Sequence, residues 1–112
     1  MNTWTCNVDE PYFSLIVSGK KTHEGRVNIG KWSTMKVDDI LVITSGDKHV
    51  ASRITDIVVA VDFDSLHSIL GESLLPGYEG KANEVYSKFP GFTTENVAKH
   101  GVVGVGLKLQ KW

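Results

Sequence analysis

PYFSLIVSGKKTHEGRVN, residues 11–28, changes its period halfway along. In the first half, Phe13, Ile16 and Val17 recur at the spacing of one helical face. Asp9 suits an N-cap, and Pro11 falls in the first turn, where its missing N–H costs little. Gly19 is placed to end the helix. The first half therefore predicts a short helix over 9–19. From residue 22 the period drops to two. In an extended chain Thr22, Glu24, Arg26 and Asn28 point one way, and His23, Gly25, Val27 and Ile29 the other. A helix that breaks into a strand carrying one wholly polar face frames everything that follows.

The chain beyond it alternates in the same manner. ILVIT at 40–44 is a predicted strand, and SGDK at 45–48 a tight turn. The return strand runs from Val50 into Ile57–Val61. Asp64 is the predicted cap of a helix over Ser65–Leu70, closed by Gly71. Pro76, Gly77, Gly80, Pro90 and Gly91 punctuate the next stretch, with a helix expected around Asn83–Lys88. Thr94 is expected to cap a last helix through Lys99. In the closing GVVGVGLKLQ, Val103, Val105, Leu107 and Leu109 face a core, while Gly104 and Gly106 leave bare backbone opposite. Helix, strands, helices and a final strand make an α+β protein. Its small sheet is mainly antiparallel, curled toward a β-barrel and flanked by short helices. Without repeats or linkers, one domain over 1–112 is expected.

Composition narrows the function. A net charge of −1 argues against coating a long duplex, which calls for a clear basic excess. Any nucleic-acid contact should be local: a base, a nucleotide or a short single strand. The positive charge is concentrated at Lys20, Lys21, Arg26 and Lys31. A single cysteine, Cys6, allows no disulfide within the chain and fits a reducing, cytoplasmic setting. Cys6 reads as a small buried hydrophobe. Met1–Asp9 has neither the basic start nor the apolar run of a signal peptide. The apolar runs Ile40–Ile43 and Ile57–Val61 are too short to cross a bilayer, so no membrane partner is expected.

Most catalytic patterns find no support. His23, His49, His67 and His100 lack metal-ligand spacing, so no metal is expected, and no cofactor either. GVVGVG at 101–106 has the wrong glycine order for a dinucleotide loop. There is no G-x-S-x-G elbow. GKKTHEGR at 19–26 remains. Its plain reading is a solvated strand face, with surface ion pairs worth ~0–1 kcal/mol. Its sharper reading is the floor of a hollow. Arg26 suits bidentate contact and stacking, and a lysine crowded by cations has a depressed pKa. Trp32, in a polar loop, is expected to be exposed for base stacking, with Tyr86 as the alternative and Phe89 assigned to packing.

The stretch resembles the opening motif of the ASCH domain, the activating-signal-cointegrator homology family. Gly19, Lys21, Thr22, Glu24 and Arg26 carry the likeness. KVDDILVI at 36–43 and HGVVGVGLKL at 100–109 resemble later elements of the same family. The resemblance implies a PUA-like barrel with a cleft beside the first helix, and RNA or a nucleotide or modified nucleoside as ligand. One branch of that family hydrolyses N4-acetylcytidine with a lysine, a threonine and a glutamate. Lys21 matches the lysine, Glu24 stands where that branch has its threonine, and Glu72 or Glu79 is the candidate for the later acid.

Two functions are therefore expected to compete. In a binding module Lys20, Lys21 and Arg26 contact phosphate or a base edge. Trp32 or Tyr86 stacks, and Glu24 accepts from an exocyclic amine. In a metal-independent amidohydrolase or ribonuclease, Lys21 is the base, Glu24 a second acid–base group, and Thr22 or water the nucleophile. A protein partner for the charged strand is a third possibility.

Overall fold

A computed structural model describes residues 1–89 and 91–110. In chain order the elements are β1 (Thr3–Asn7), α1 (Tyr12–Val17), β2 (His23–Val27), β3 (Ile40–Ser45), β4 (Lys48–Ala60), α2 (Phe63–Leu70), α3 (Ala82–Tyr86), α4 (Thr94–His100) and β5 (Val102–Leu109). Short 3-10 turns cover Gly30–Ser33 and Gly71–Ser73. Among the described residues, no helix is long and apolar enough to cross a membrane.

The five strands form one sheet in the order β1-β3-β4-β5-β2. Three pairings are antiparallel, and β1 runs parallel to β3. The sheet curls into a PUA-like half-barrel, the α+β architecture expected from the sequence. Strand β1 itself was not expected, beyond an extended N-terminal segment. Its partner β3 lies more than thirty residues away, and that pairing leaves no local signal.

Register decides which face each side chain takes. Glu24 sits opposite Val105, and Arg26 opposite Val103. Directly opposed residues share a face. Val103 and Val105 belong to the core inside the curl, with Cys6, Leu41, Ile43 and Ile54. The polar face of β2 therefore points inward. The other face of β2 and β5 meets α2, α3 and the segment between them, burying Val27, Phe63, Leu66, Leu74, Tyr86 and Val102.

Gly25 lies opposite Gly104 on that second face. A Cβ on Gly25 would stand 3.0 Å from the Tyr86 hydroxyl and 3.1 Å from Leu74 Cδ1. One on Gly104 would meet Leu70 Cδ1 at 2.7 Å, and one on Gly106 would meet Asp56 Oδ1 at 2.0 Å. These glycines let helices and a β4 bulge at residues 55–56 lie on the strands. Their backbone is covered and is not open to a ligand.

Several boundaries shift by one or two residues. The cap of α2 is Asp62, which accepts from the Ser65 N–H at 2.8 Å. The expected cap, Asp64, instead accepts from the backbone and side chain of Asn83. Thr93 rather than Thr94 caps α4, accepting from the Asn96 N–H at 2.9 Å. Helix α1 is shorter than expected because its first turn is spent on the Asp9 carbonyl, which accepts from Tyr12 and Phe13.

Candidate functional site

The two edge strands, β1 and β2, meet at the side where the sheet fails to close. Side chains from β2 and the turn after it lace this seam. Arg26 Nη2 donates to the Asn7 carbonyl at 2.9 Å, and Lys31 Nζ donates to the Thr5 carbonyl. An edge strand's free carbonyls are thus satisfied by cations instead of a neighbouring strand.

Behind the seam runs a buried chain of charge. Arg26 Nη2 also donates to Glu24 Oε2 at 2.8 Å. Glu24 Oε1 lies 3.5 Å from Lys21 Nζ. Lys21 donates to the Leu74 carbonyl and, at 3.5 Å, to the Tyr86 hydroxyl. Glu24 and Lys21 are 0% and 1% exposed, and Arg26 is 8% exposed. Burial pulls the Lys21 ammonium below its ordinary pKa, opposed by the Glu24 charge. Burial, with Glu24 nearby, pushes the Tyr86 phenol well above its ordinary value.

Arg26 is the member of this chain that reaches the surface. Its guanidinium packs over two rings, 4.9 Å from the Trp32 centroid and 5.5 Å from that of Phe89. Two such contacts restrict the guanidinium. Nη2 has both its acceptors, whereas Nε is buried without one. Among the described residues, Nη1 has no acceptor.

Arg26 opens into a cleft of about 450 Å³. Asn7, Asp9, Tyr12, Lys31, Lys88 and Phe89 form much of its wall, with Cys6 at its base. Tyr12 and Phe89 touch one another at 5.9 Å between centroids, tilted by 59°. Three cations, the carboxylates of Asp9 and Glu10, and two aromatic rings therefore face a space large enough for a nucleoside-sized molecule. Among the described residues, no group of three or more His, Cys, Asp or Glu is placed to hold a metal ion.

The residues singled out in the sequence have separate fates. Lys21, Glu24 and Arg26 converge, but only Arg26 lines the cleft. Lys20 is exposed, and outside the lining. The Thr22 hydroxyl pairs with His23 Nδ1 at 3.0 Å, and His23 Nε2 with Asp56 at 2.8 Å, so Thr22 is committed elsewhere. Trp32 is buried, against expectation, because it forms the bed beneath Arg26. Tyr86 is also buried, stacked on Phe63 at 4.2 Å, and cannot offer a ring face to a base. Glu72 accepts from the Gly77 N–H, and neither it nor Glu79 lines the cleft. Asn7, Asp9, Tyr12 and Lys88 went unrecognised, and Phe89 was assigned to packing. Only the aromatic character of Tyr12, at the start of α1, offered a signal.

Cys6 lines the cleft as a buried thiol held in its neutral form. Burial and then the Glu24 charge push its thiol from 9.0 to about 12, against the lowering effect of Arg26 and Lys31. At pH 8 the folded protein should carry roughly a thousandfold less Cys6 thiolate than the unfolded chain. Iodoacetamide labelling should therefore be slow until urea unfolds the protein. The raised folded pKa favours the native state below pH 9 and loses that advantage as pH climbs from 9 toward 12.

A curled half-barrel of this order, with a charged strand and a cleft beside its first helix, defines a small PUA-like protein. The ASCH domain matches residues 7–103, and the chain belongs to the ASCH domain family. Its structure is similar to that of hypothetical protein PH0355, at 29% identity and a TM-score of 0.86, covering 96% of this chain and 99% of that one. It is also similar to protein PF0455 from Pyrococcus furiosus, at 26% identity and a TM-score of 0.77, covering 98% and 99%. A ZmASCH mutant protein from Zymomonas mobilis shares the fold at 16% identity and a TM-score of 0.58, over 93% of this chain and 66% of that one. No curated protein matches the sequence.

Proposed function

We propose that the seam cleft binds a nucleotide, free or at an exposed position in RNA, and that the protein is a binding module. The observation that carries this reading is the state of Arg26: packed over two rings, with Nη1 unpaired among the described residues at the wall of an aromatic-flanked cleft. A preorganised guanidinium is suited to a phosphate or a carbonyl edge, because its plane need not be ordered on binding. Tyr12 and Phe89 supply apolar surface for a base, with stacking worth ~1–3 kcal/mol. Lys31 and Lys88 add charge at the rim.

The hydrolase reading asks Lys21 and Glu24 to meet a substrate. Their burial and outward-facing partner Arg26 weigh against it. In this proposal Lys21 and Glu24 hold Arg26 in place. The test is to mix the protein with N4-acetylcytidine and, separately, with a short single-stranded RNA. Calorimetry should show saturable RNA binding, and chromatography no deacetylated product. Turnover that disappears in Lys21→Ala would establish the enzyme instead.

A further inference from the structure

The cleft is polar along its length, and that polarity carries a more specific reading, which rests on the nucleotide function proposed above. Its wall follows the free edge of β1. At Thr5 the edge holds Lys31, and at Asn7 it holds Arg26. Asp9 comes next. Alternate strand residues are about 7 Å apart, so Lys31 and Arg26 lie side by side along the edge, and Asp9 follows past the end of the strand, where the chain turns into α1.

The carboxylate end has one uncommitted group. Both oxygens of Glu10 are taken by Ser14, through its N–H and its hydroxyl at 2.8 Å each. Asp9 Oδ1 accepts from Asn7 Nδ2 at 3.2 Å. Asn7 Oδ1 faces the Thr44 hydroxyl at 3.5 Å, which is consistent with the amide pointing its NH₂ at Asp9. Among the described residues, Asp9 Oδ2 has no donor. It is an acceptor-only group at the cleft wall, opposite in sign to the Arg26–Lys31 end.

We infer that this cleft reads a nucleotide in one direction, with phosphate at Lys31 and Arg26 and an amino-bearing base at Asp9. A carboxylate accepts from an exocyclic amine but faces a carbonyl oxygen with repulsion. With the exocyclic position set at Asp9, the cleft selects cytosine over uracil, and adenine over hypoxanthine, pairs that share ring shape and differ there and at the adjacent ring nitrogen. The phosphate contributes to both members equally.

The test is calorimetric titration of the full chain with CMP, UMP, AMP, IMP and cytidine, on the wild type and on Asp9→Asn. The wild type should prefer CMP to UMP, and AMP to IMP, by ~10-fold or more, the lower range for one well-placed base contact. Asp9→Asn should erase or reverse that preference. It should leave the advantage of CMP over cytidine intact. Asp9 is exposed, so the variant is expected to fold, which a urea melt checks. Equal wild-type affinity for CMP and UMP would overturn the inference while leaving the nucleotide function standing. A preference that survives in Asp9→Asn would overturn it in the same way. Failure of all four nucleotides to bind would overturn the inference, and failure of a short single-stranded RNA to bind as well would overturn the nucleotide function with it.

Discussion

Glu24→Ala should destabilise the protein by about 3–5 kcal/mol, the range seen when one partner of a buried ion pair is removed. Among the described residues, Glu24 is the one anion that touches both buried cations, Lys21 at 3.5 Å and Arg26 at 2.8 Å. Its loss leaves the buried, inner side of the Arg26 guanidinium without a counter-charge. Lys21, already biased toward its neutral form by burial, loses the charge that opposed that bias. For a small domain with a total stability of about 5–15 kcal/mol, such a loss is a large fraction of the whole. Lys21→Met should cost less than half as much, because Glu24 then keeps its 2.8 Å partner and the methionine fills similar volume. Urea denaturation of the two variants reads the contrast. Equal costs, or a Glu24→Ala protein as stable as the wild type, would mean that Glu24 does not organise this cluster.

Arg26→Lys should weaken CMP binding by about 30–100-fold, or ~2–3 kcal/mol, the worth of a charge-assisted hydrogen bond together with its fixed geometry. Lysine preserves the positive charge beside Glu24, so the fold should largely survive. It has no planar fork, however, and cannot serve Glu24, the Asn7 carbonyl and a ligand together. It also loses the guanidinium's contacts with the Trp32 and Phe89 rings. Calorimetry with CMP, paired with a urea melt, separates lost binding from lost folding. Unchanged affinity in a folded Arg26→Lys protein would remove Arg26 from the recognition surface.

What the sequence reveals about this site has a clear boundary. The period switch after Gly19 and the polar alternation through Glu24 and Arg26 are local, and both can be read directly. Their direction is not local. Polar alternation ordinarily marks the wet face of a strand, yet here it marks the interior, because β5 presents Val103 and Val105 on that same face. An inward glutamate is tolerable only beside its two cations, and those contacts depend on tertiary placement. The same limit explains Trp32 and Phe89. A tryptophan in a polar loop looks exposed until an arginine from β2 is laid on it. A phenylalanine after a short helix looks like packing until the seam with β1 brings it to the cleft. The expected caps, Asp64 and Thr94, gave way to Asp62 and Thr93 for a smaller reason. Each has a second competent capping residue within two positions, and tertiary bonds such as Asp64 to Asn83 decide between them.

The central claim is that ligands enter at the open seam, above Arg26, with Lys21 and Glu24 behind it. Its most direct measurement is a ¹⁵N NMR titration with CMP that follows backbone amides and the arginine Nε–H signals. Saturable shifts should centre on Asn7, Arg26, Lys31 and Phe89, with the Arg26 Nε–H signal among the largest. Shifts centred instead on Val59–Val61 and Val97–Gly101, on the Glu72–Glu79 segment, or nowhere at all would contradict it.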